Sequence, residues 1–185
     1  MKRISTLIIY LFVTMVAMSQ NTHLTFMGIP LNGSIKTFQT KLIAKGCQLN
    51  KPLNKIIPVG CRAFTGNFAG EEANIYVYYN EDTKTVYRAK AVMTYDESLI
   101  EQKYNYFVNM LSTKYALEKM DKGEQDGHES FSIIVSNSDG MSYKGIIAVY
   151  VGKNDYSLLY GQTIHVDYED FENGIADETS KMDDL

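Results

Sequence analysis

Apolar residues along this chain follow two different periods, and the switch between them marks out the elements. Ile35, Phe38 and Leu42 recur at helical spacing. They are introduced by Asn32-Gly33-Ser34, with Ser34 as N-cap, and stopped by Gly46, which predicts a first amphipathic helix. Ile100, Tyr104, Phe107, Leu111 and Tyr115 form a second stripe, while Glu101, Lys103, Asn105 and Asn109 lie mainly off it, predicting a helix from near Asp96 to about Glu118. Elsewhere the period is two. Segments 59–68, 74–79, 85–95, 130–136, 142–151 and 156–166 are rich in β-branched and aromatic residues. In 85–95 the alternation is clearest, with Tyr87, Ala89, Ala91, Met93 and Tyr95 on one face and Arg88, Lys90 and Thr94 on the other. Asn80-Glu81-Asp82-Thr83, Asn137-Ser138-Asp139-Gly140 and Gly152-Lys153-Asn154-Asp155 supply turn chemistry between neighbouring strands.

The predicted order is α-β-β-β-α-β-β-β, a helix followed by a three-strand meander, twice. Short turns make the strands antiparallel, and two one-sided helices need one sheet face to cover. The expected fold is therefore α+β, an antiparallel sheet with both helices on one face. No residue-level repeat links the halves. Residues 20–166 are expected to form this single domain. Residues 167–185 are rich in Asp and Glu without a sustained apolar period, and are expected to be a solvated acidic tail, with a short helix near Asp177 to Leu185 as its only order.

The first residues carry a different pattern. Lys2 and Arg3 precede an apolar run from Ile4 to Met18, and Ala17 and Ser19 place small side chains before Gln20. That is the arrangement of a secretory signal peptide over residues 1–19, cleaved after Ser19. The run is shorter than the ~20 residues a membrane span needs, and no Cys follows it to accept a lipid, so no membrane anchor is expected. The protein is thus expected in the periplasm or outside the cell. Removing Lys2 and Arg3 moves the formal net charge from −4 to −6, which argues against nucleic acid as a partner. The remaining chain of about 165 residues is one ordinary domain that needs no disulfide to hold a core.

Residues 23–46, HLTFMGIPLNGSIKTFQTKLIAKG, resemble the opening of a group of secreted proteins from Gram-negative gut anaerobes, in which a short strand ending F-x-G-I-P-L leads into a helix closing on K-G. Gly66-Asn67-Phe68-Ala69-Gly70, the Leu111 to Tyr115 stretch and the closing Asp183-Asp184-Leu185 fit the same group. Ala116 after Lys114-Tyr115 departs from it, where glycine is expected, as does Cys47 in place of an aromatic or apolar residue. The resemblance implies export and fold but no catalytic residues. The helix-plus-meander pattern is also similar, at the level of architecture, to the beta-lactamase inhibitor protein and to small outer-membrane assembly lipoproteins, and so implies nothing firm about function.

Candidate chemistry is sparse. His23, His128 and His165 lack helical partners and metal-ligand spacing, so no metal site is expected. There is no G-x-S-x-G elbow, and Gly66 and Gly70 are not followed by the Lys-Ser/Thr of a phosphate loop. Asp167, Glu169, Asp170 and Glu172 lack the spacing of a calcium loop and read as a solvated acidic face. Cys47 and Cys61 either close a structural disulfide, worth ~3 kcal/mol in the chain-entropy picture, or are two buried thiols that never meet.

Tyrosine is the compositional oddity, with 14 in the chain and no Trp. Its amphipathic ring suits recognition surfaces, which makes Tyr76, Tyr78, Tyr143, Tyr150, Tyr156 and Tyr160 the candidate binding residues on the sheet face the helices leave uncovered. The expectation is a non-catalytic binding module without a cofactor, whose partner is a protein or glycan of the envelope. The alternatives are an accessory to envelope assembly, or a hydrolase whose site would draw on His165, Asp167 and a tyrosine. Cleavage is directly measurable. The intact mass of protein recovered from the producing cell is expected to match a chain starting at Gln20, and a mass that includes residues 1–19 would contradict it.

Overall fold

The computed structural model of the chain describes residues 22–125, 128–152 and 162–182. Three helices and a large antiparallel sheet make an α+β fold. The described chain opens with a tight hairpin, β1 (Thr25–Phe26) and β2 (Ile29–Pro30). Met27 and Gly28 both take positive φ at its tip, the backbone of a type I′ turn. Helix α1 (Ile35–Ala44) follows, with the Ser34 side chain accepting the Thr37 N–H and Ile35, Phe38 and Leu42 buried. The strands β3 (Gln48–Leu49), β4 (Cys61–Phe68), β5 (Glu71–Tyr79) and β6 (Val86–Tyr95) complete the first half. A 3-10 turn then leads into α2 (Ile100–Lys114), β7 (Lys119–Gln125), β8 (His128–Ser136), β9 (Tyr143–Gly152), β10 (Gln162–Asp170) and α3 (Phe171–Met182).

The sheet order is β3-β4-β5-β6-β10-β9-β8-β7, so each half runs inward from its own edge. The halves join where β6 and β10 pair antiparallel, from Gln162 opposite Tyr95 to Glu169 opposite Arg88. One face of the sheet is apolar. Phe64, Ile75, Val77, Ala91, Met93, Val166, Ile147, Val149 and Ile133 meet Phe38 and Leu42 of α1 and Phe107 and Leu111 of α2 in one core. Phe26 stacks on Phe68 at 5.3 Å and meets Tyr168 edge-on, which locks the opening hairpin to both halves of the sheet.

Several expectations change. Each half holds four strands, not a three-strand meander. The short β3 borders β4, and β7 has the sequence KMDKGEQ, which shows almost no apolar alternation. An edge strand pairs on one side only and is protected from further pairing by charge, so β7 needs no apolar period to form. Gly66 in β4 marks a close approach. A Cβ there would lie 2.6 Å from the Cys47 Sγ, so glycine lets Cys47 pack directly over β4. Residues 156–160 of the last expected strand lie outside the described residues, as does the proposed leader.

The expected acidic tail is the largest correction. Residues 167–170 finish the central strand β10 and 171–182 form α3. Asp167, Asp170 and Asp177 are buried. The Asp170 carboxylate accepts the Leu24 N–H at 3.0 Å, the Asn173 N–H at 3.1 Å, which is N-cap geometry for α3, and a contact from His23 Nδ1 at 3.1 Å. Asn173 also donates to the Leu31 carbonyl, and Asn80 donates to Asp177. A carboxylate is stable here because it is fully hydrogen-bonded. The start and end of the described chain are thereby clamped together. Asp170→Ala is expected to lose about 3 kcal/mol in urea unfolding at neutral pH, since it strands several buried donors, and His23→Ala about 1 kcal/mol. A wild-type midpoint for Asp170→Ala would contradict the clamp.

Candidate functional site

The sheet face away from the core is polar and aromatic, and its rows follow from register. Tyr78 lies opposite Arg88, Arg88 opposite Glu169, and Glu169 opposite Ile146. The next row runs Tyr76, Lys90, Asp167, Ala148, Ser132, and the third runs Asn74, Val92, His165, Tyr150, Ser130. These side chains share one face because directly paired residues of antiparallel strands point the same way.

A dense cluster sits where the halves meet. Arg88 grips Asp167 with two donors, Nε at 2.9 Å and Nη2 at 2.5 Å, and its guanidinium lies 5.2 Å from the Tyr78 ring centroid. The hydrogen bond to Asp167 outweighs desolvation and raises the Arg88 pKa, so the cation is held firmly. Tyr150 donates to the same carboxylate at 3.4 Å and stacks on His165 with centroids 4.7 Å apart. The Thr163 hydroxyl donates to the Gly152 carbonyl at 2.7 Å and contacts His165 Nε2 at 2.8 Å. With its proton committed to Gly152, Thr163 accepts there, so Nε2 carries the ring proton. Gly152 itself leaves room for the ring, since a Cβ would come within 3.0 Å of Nε2. Lys90 lies about 6 Å from the ring centroids of Tyr76 and Tyr78.

This arrangement brings together Tyr76, Tyr78 and Tyr150 and adds His165 and Asp167 to them. It does not expose them equally. Tyr76 is 2 % and Tyr150 9 % accessible, and Tyr78 is half-buried. Leu53 and Ile57, from the loop before β4, pack against the patch formed by Cys61, Ala63, Tyr76 and Val92, so that edge of the face is covered. Tyr143 is 55 % exposed and pairs with Ser136 beyond the bulge in β9, which places it on this face but at its rim, away from the Tyr150 cluster. Tyr156 and Tyr160 lie outside the described residues.

The disulfide alternative is excluded. Cys47 and Cys61 are free, buried thiols. Cys47 packs on Gly66 in the helix-side core, while Cys61 belongs to the opposite face of β4. The strand itself separates them. Burial raises both thiol pKa values, that of Cys61 to about 11, despite the nearby Lys90.

Chemically, the cluster is a matched set of charges and aromatic rings, with the His165 Nε2–H and the Asp167 carboxylate both engaged. Among the described residues no group of three His, Cys, Asp or Glu side chains is placed to hold a metal ion, and no helix is long and apolar enough to cross a membrane. Arg88 and Asp167 escaped notice as partners because they stand far apart in the chain. The alternation of residues 85–95, which places Arg88 and Lys90 on the face away from the core, is the signal that could have found them. The chain matches no known protein-family model, and neither curated proteins nor solved structures include one similar to it.

Without any reductant, unfolded protein is expected to show two titratable thiols per chain. Folded protein at pH 8 should alkylate Cys61 slowly, since a pKa of about 11 leaves on the order of one thiolate per thousand, and faster as the pH rises. A thiol count of zero in denaturant would restore the bridge.

Proposed function

We propose that the protein is an exported, non-catalytic binding module that acts in the periplasm or outside the cell, with the uncovered sheet face as its contact surface. One observation carries this reading: a register-linked array of half-buried Tyr78, Arg88, Lys90 and Glu169, bordered by the small side chains of Ala148, Ser130 and Ser132. The array rests on the buried Tyr150, His165 and Asp167 cluster, which holds its cation and rings in place before any partner arrives. Pre-ordering of this kind lowers the entropic cost of association. Aromatic and arginine side chains at the centre of a patch supply most binding energy at interfaces.

The charges on the array balance, with Arg88 and Lys90 facing Asp167 and Glu169. A balanced surface suits a protein or glycan of the envelope and gives no purchase to a polyanion. The sheet order, running inward from both edges, supports reading the halves as two helix-plus-meander units, with the binding surface across their junction. The hydrolase reading is disfavoured by the engagement of Asp167 with Arg88 and of His165 Nε2 with Thr163.

Immobilised protein is expected to capture a specific component from an envelope extract of the producing cell. Tyr78→Ala combined with Lys90→Ala should reduce that capture at least tenfold, while Tyr106→Ala, at an exposed tyrosine of α2, leaves it intact. Recovery of an outer-membrane complex would identify an assembly accessory. Equal capture by all three proteins, or none by the wild type, would remove the basis for this surface.

A further inference from the structure

A second surface lies at the β3–β4 edge of the sheet, beside the loop before β4. The loop before β4 turns Leu53 and Ile57 onto the sheet and leaves Ile56 and Val59 63 % and 72 % exposed. Val59 and Leu49 form an apolar wall of an open cleft of about 520 Å³, whose floor includes Arg62, Gln39 and Tyr79. Arg62 lies opposite Val77 in the β4–β5 register, which puts it on the helix side, away from the face described above.

The electrostatics of this cleft are unusual in a chain of net charge −4. Arg62 donates Nη1 to Gln39 Oε1 at 2.7 Å, and its guanidinium lies 5.9 Å from the Tyr79 ring centroid. Lys84 is not among the residues that line the cleft but stands beside it, at the same distance from the Tyr79 ring, with its ammonium donating to the Glu81 carbonyl. Among the described residues neither cation has a carboxylate within ion-pair distance, whereas Arg88 and Lys103 both do. The Glu81 side chain lies against Gly60. Arginine has five donors arranged to fit a carboxylate, and Gln39 occupies one.

The mode of recognition is constrained by the strand edge. Ala63 N–H and C=O are already satisfied by the Asn54 side chain, which imitates a neighbouring strand, and Asn50 N–H also donates to the Ala63 carbonyl. Ala63 therefore has no main-chain group left for strand addition. Two cations are too few for a membrane surface or a nucleic acid, both of which recruit clusters of basic residues. A carboxylate flanked by aliphatic side chains fits both halves of the cleft.

We infer that this cleft is a docking site for an acidic–aliphatic peptide segment of a partner protein. A carboxylate of the segment meets Arg62 in a forked pair within reach of Lys84, and the neighbouring aliphatic side chain covers Leu49 and Val59. The cleft shares Ile57 and Cys61 with the border of the uncovered sheet face but none of the Tyr78, Arg88, Lys90 and Glu169 array, so the two readings fail separately.

Fluorescence anisotropy of the folded protein with a fluorescein-labelled peptide alternating glutamate and leucine tests it. Saturable binding is expected, with no binding of the lysine–leucine counterpart. Arg62→Gln with Lys84→Gln should raise Kd at least tenfold at an unchanged melting temperature. The exposed Lys84→Glu alone should weaken binding, and Tyr78→Ala with Lys90→Ala should leave it unaltered. Absence of saturable binding to the wild type, equal binding of both peptides, or an unchanged Kd in the Arg62/Lys84 variant would overturn the site. Two further outcomes would overturn the choice of occupant. A dimer in sedimentation velocity that the double variant abolishes would assign the cleft to a second copy. A tenfold gain in affinity on deleting residues 183–185 would assign it to the chain's own acidic end.

Discussion

The antiparallel pairing of β6 with β10 is the constraint on which the remaining structure depends. Each half alone is a helix over a few strands, with one long edge unsatisfied. Joining the two innermost strands closes both edges against each other and makes one sheet with one core. β10 is accordingly buried almost along its length, from Thr163 to Tyr168. The Arg88–Asp167 pair crosses this seam and ties its register. A one-residue slip would carry Asp167 to the apolar face and leave Arg88 without its partner, an outcome disfavoured by the cost of burying an unpaired charge.

From that seam the two faces acquire different roles. The helix-side face is committed to burial by α1, α2 and the aromatic contacts of Phe26, Phe68, Phe107 and Tyr168. Neither α1 nor α2 covers the other face, and its residues satisfy one another sideways, through ion pairing, ring stacking and hydroxyl bonds across strands. Side-to-side satisfaction produces a rigid surface with its polar groups already oriented. The terminal clamp at Asp170 belongs to the same scheme. It joins the segment entering the core at Leu24 to the helix leaving β10, so the seam is held from its end as well as along its length.

Much of the secondary structure was legible because it is driven by local periodicity. Ser34, Gly46 and the Ile35, Phe38 and Leu42 stripe define α1 without reference to the sheet. Alternation in residues 85–95 placed Arg88 and Lys90 on the face opposite Ala89, Ala91 and Met93, as observed. The strand β7 was missed because an edge strand draws its stability from backbone bonds to β8 and not from an apolar face. The terminal segment was misread because its carboxylates looked solvated. Asp167 and Asp170 are buried only because Arg88, Tyr150, Leu24 and Asn173 are brought to them from elsewhere in the chain.

By itself, then, the sequence determined the two core helices and most of the central strands, which face of each is apolar, and that the architecture is α+β, since these rest on neighbours a few residues apart. The separation of Cys47 from Cys61, the placing of Tyr76, Tyr78 and Tyr150 on one face with His165 and Asp167, and the burial of Asp170 were decided by the tertiary structure. Each depends on strand parity and on pairing between distant segments. Local propensity carries no information about which distant strand supplies a partner, and the charges and rings of this protein find their functions only across that pairing.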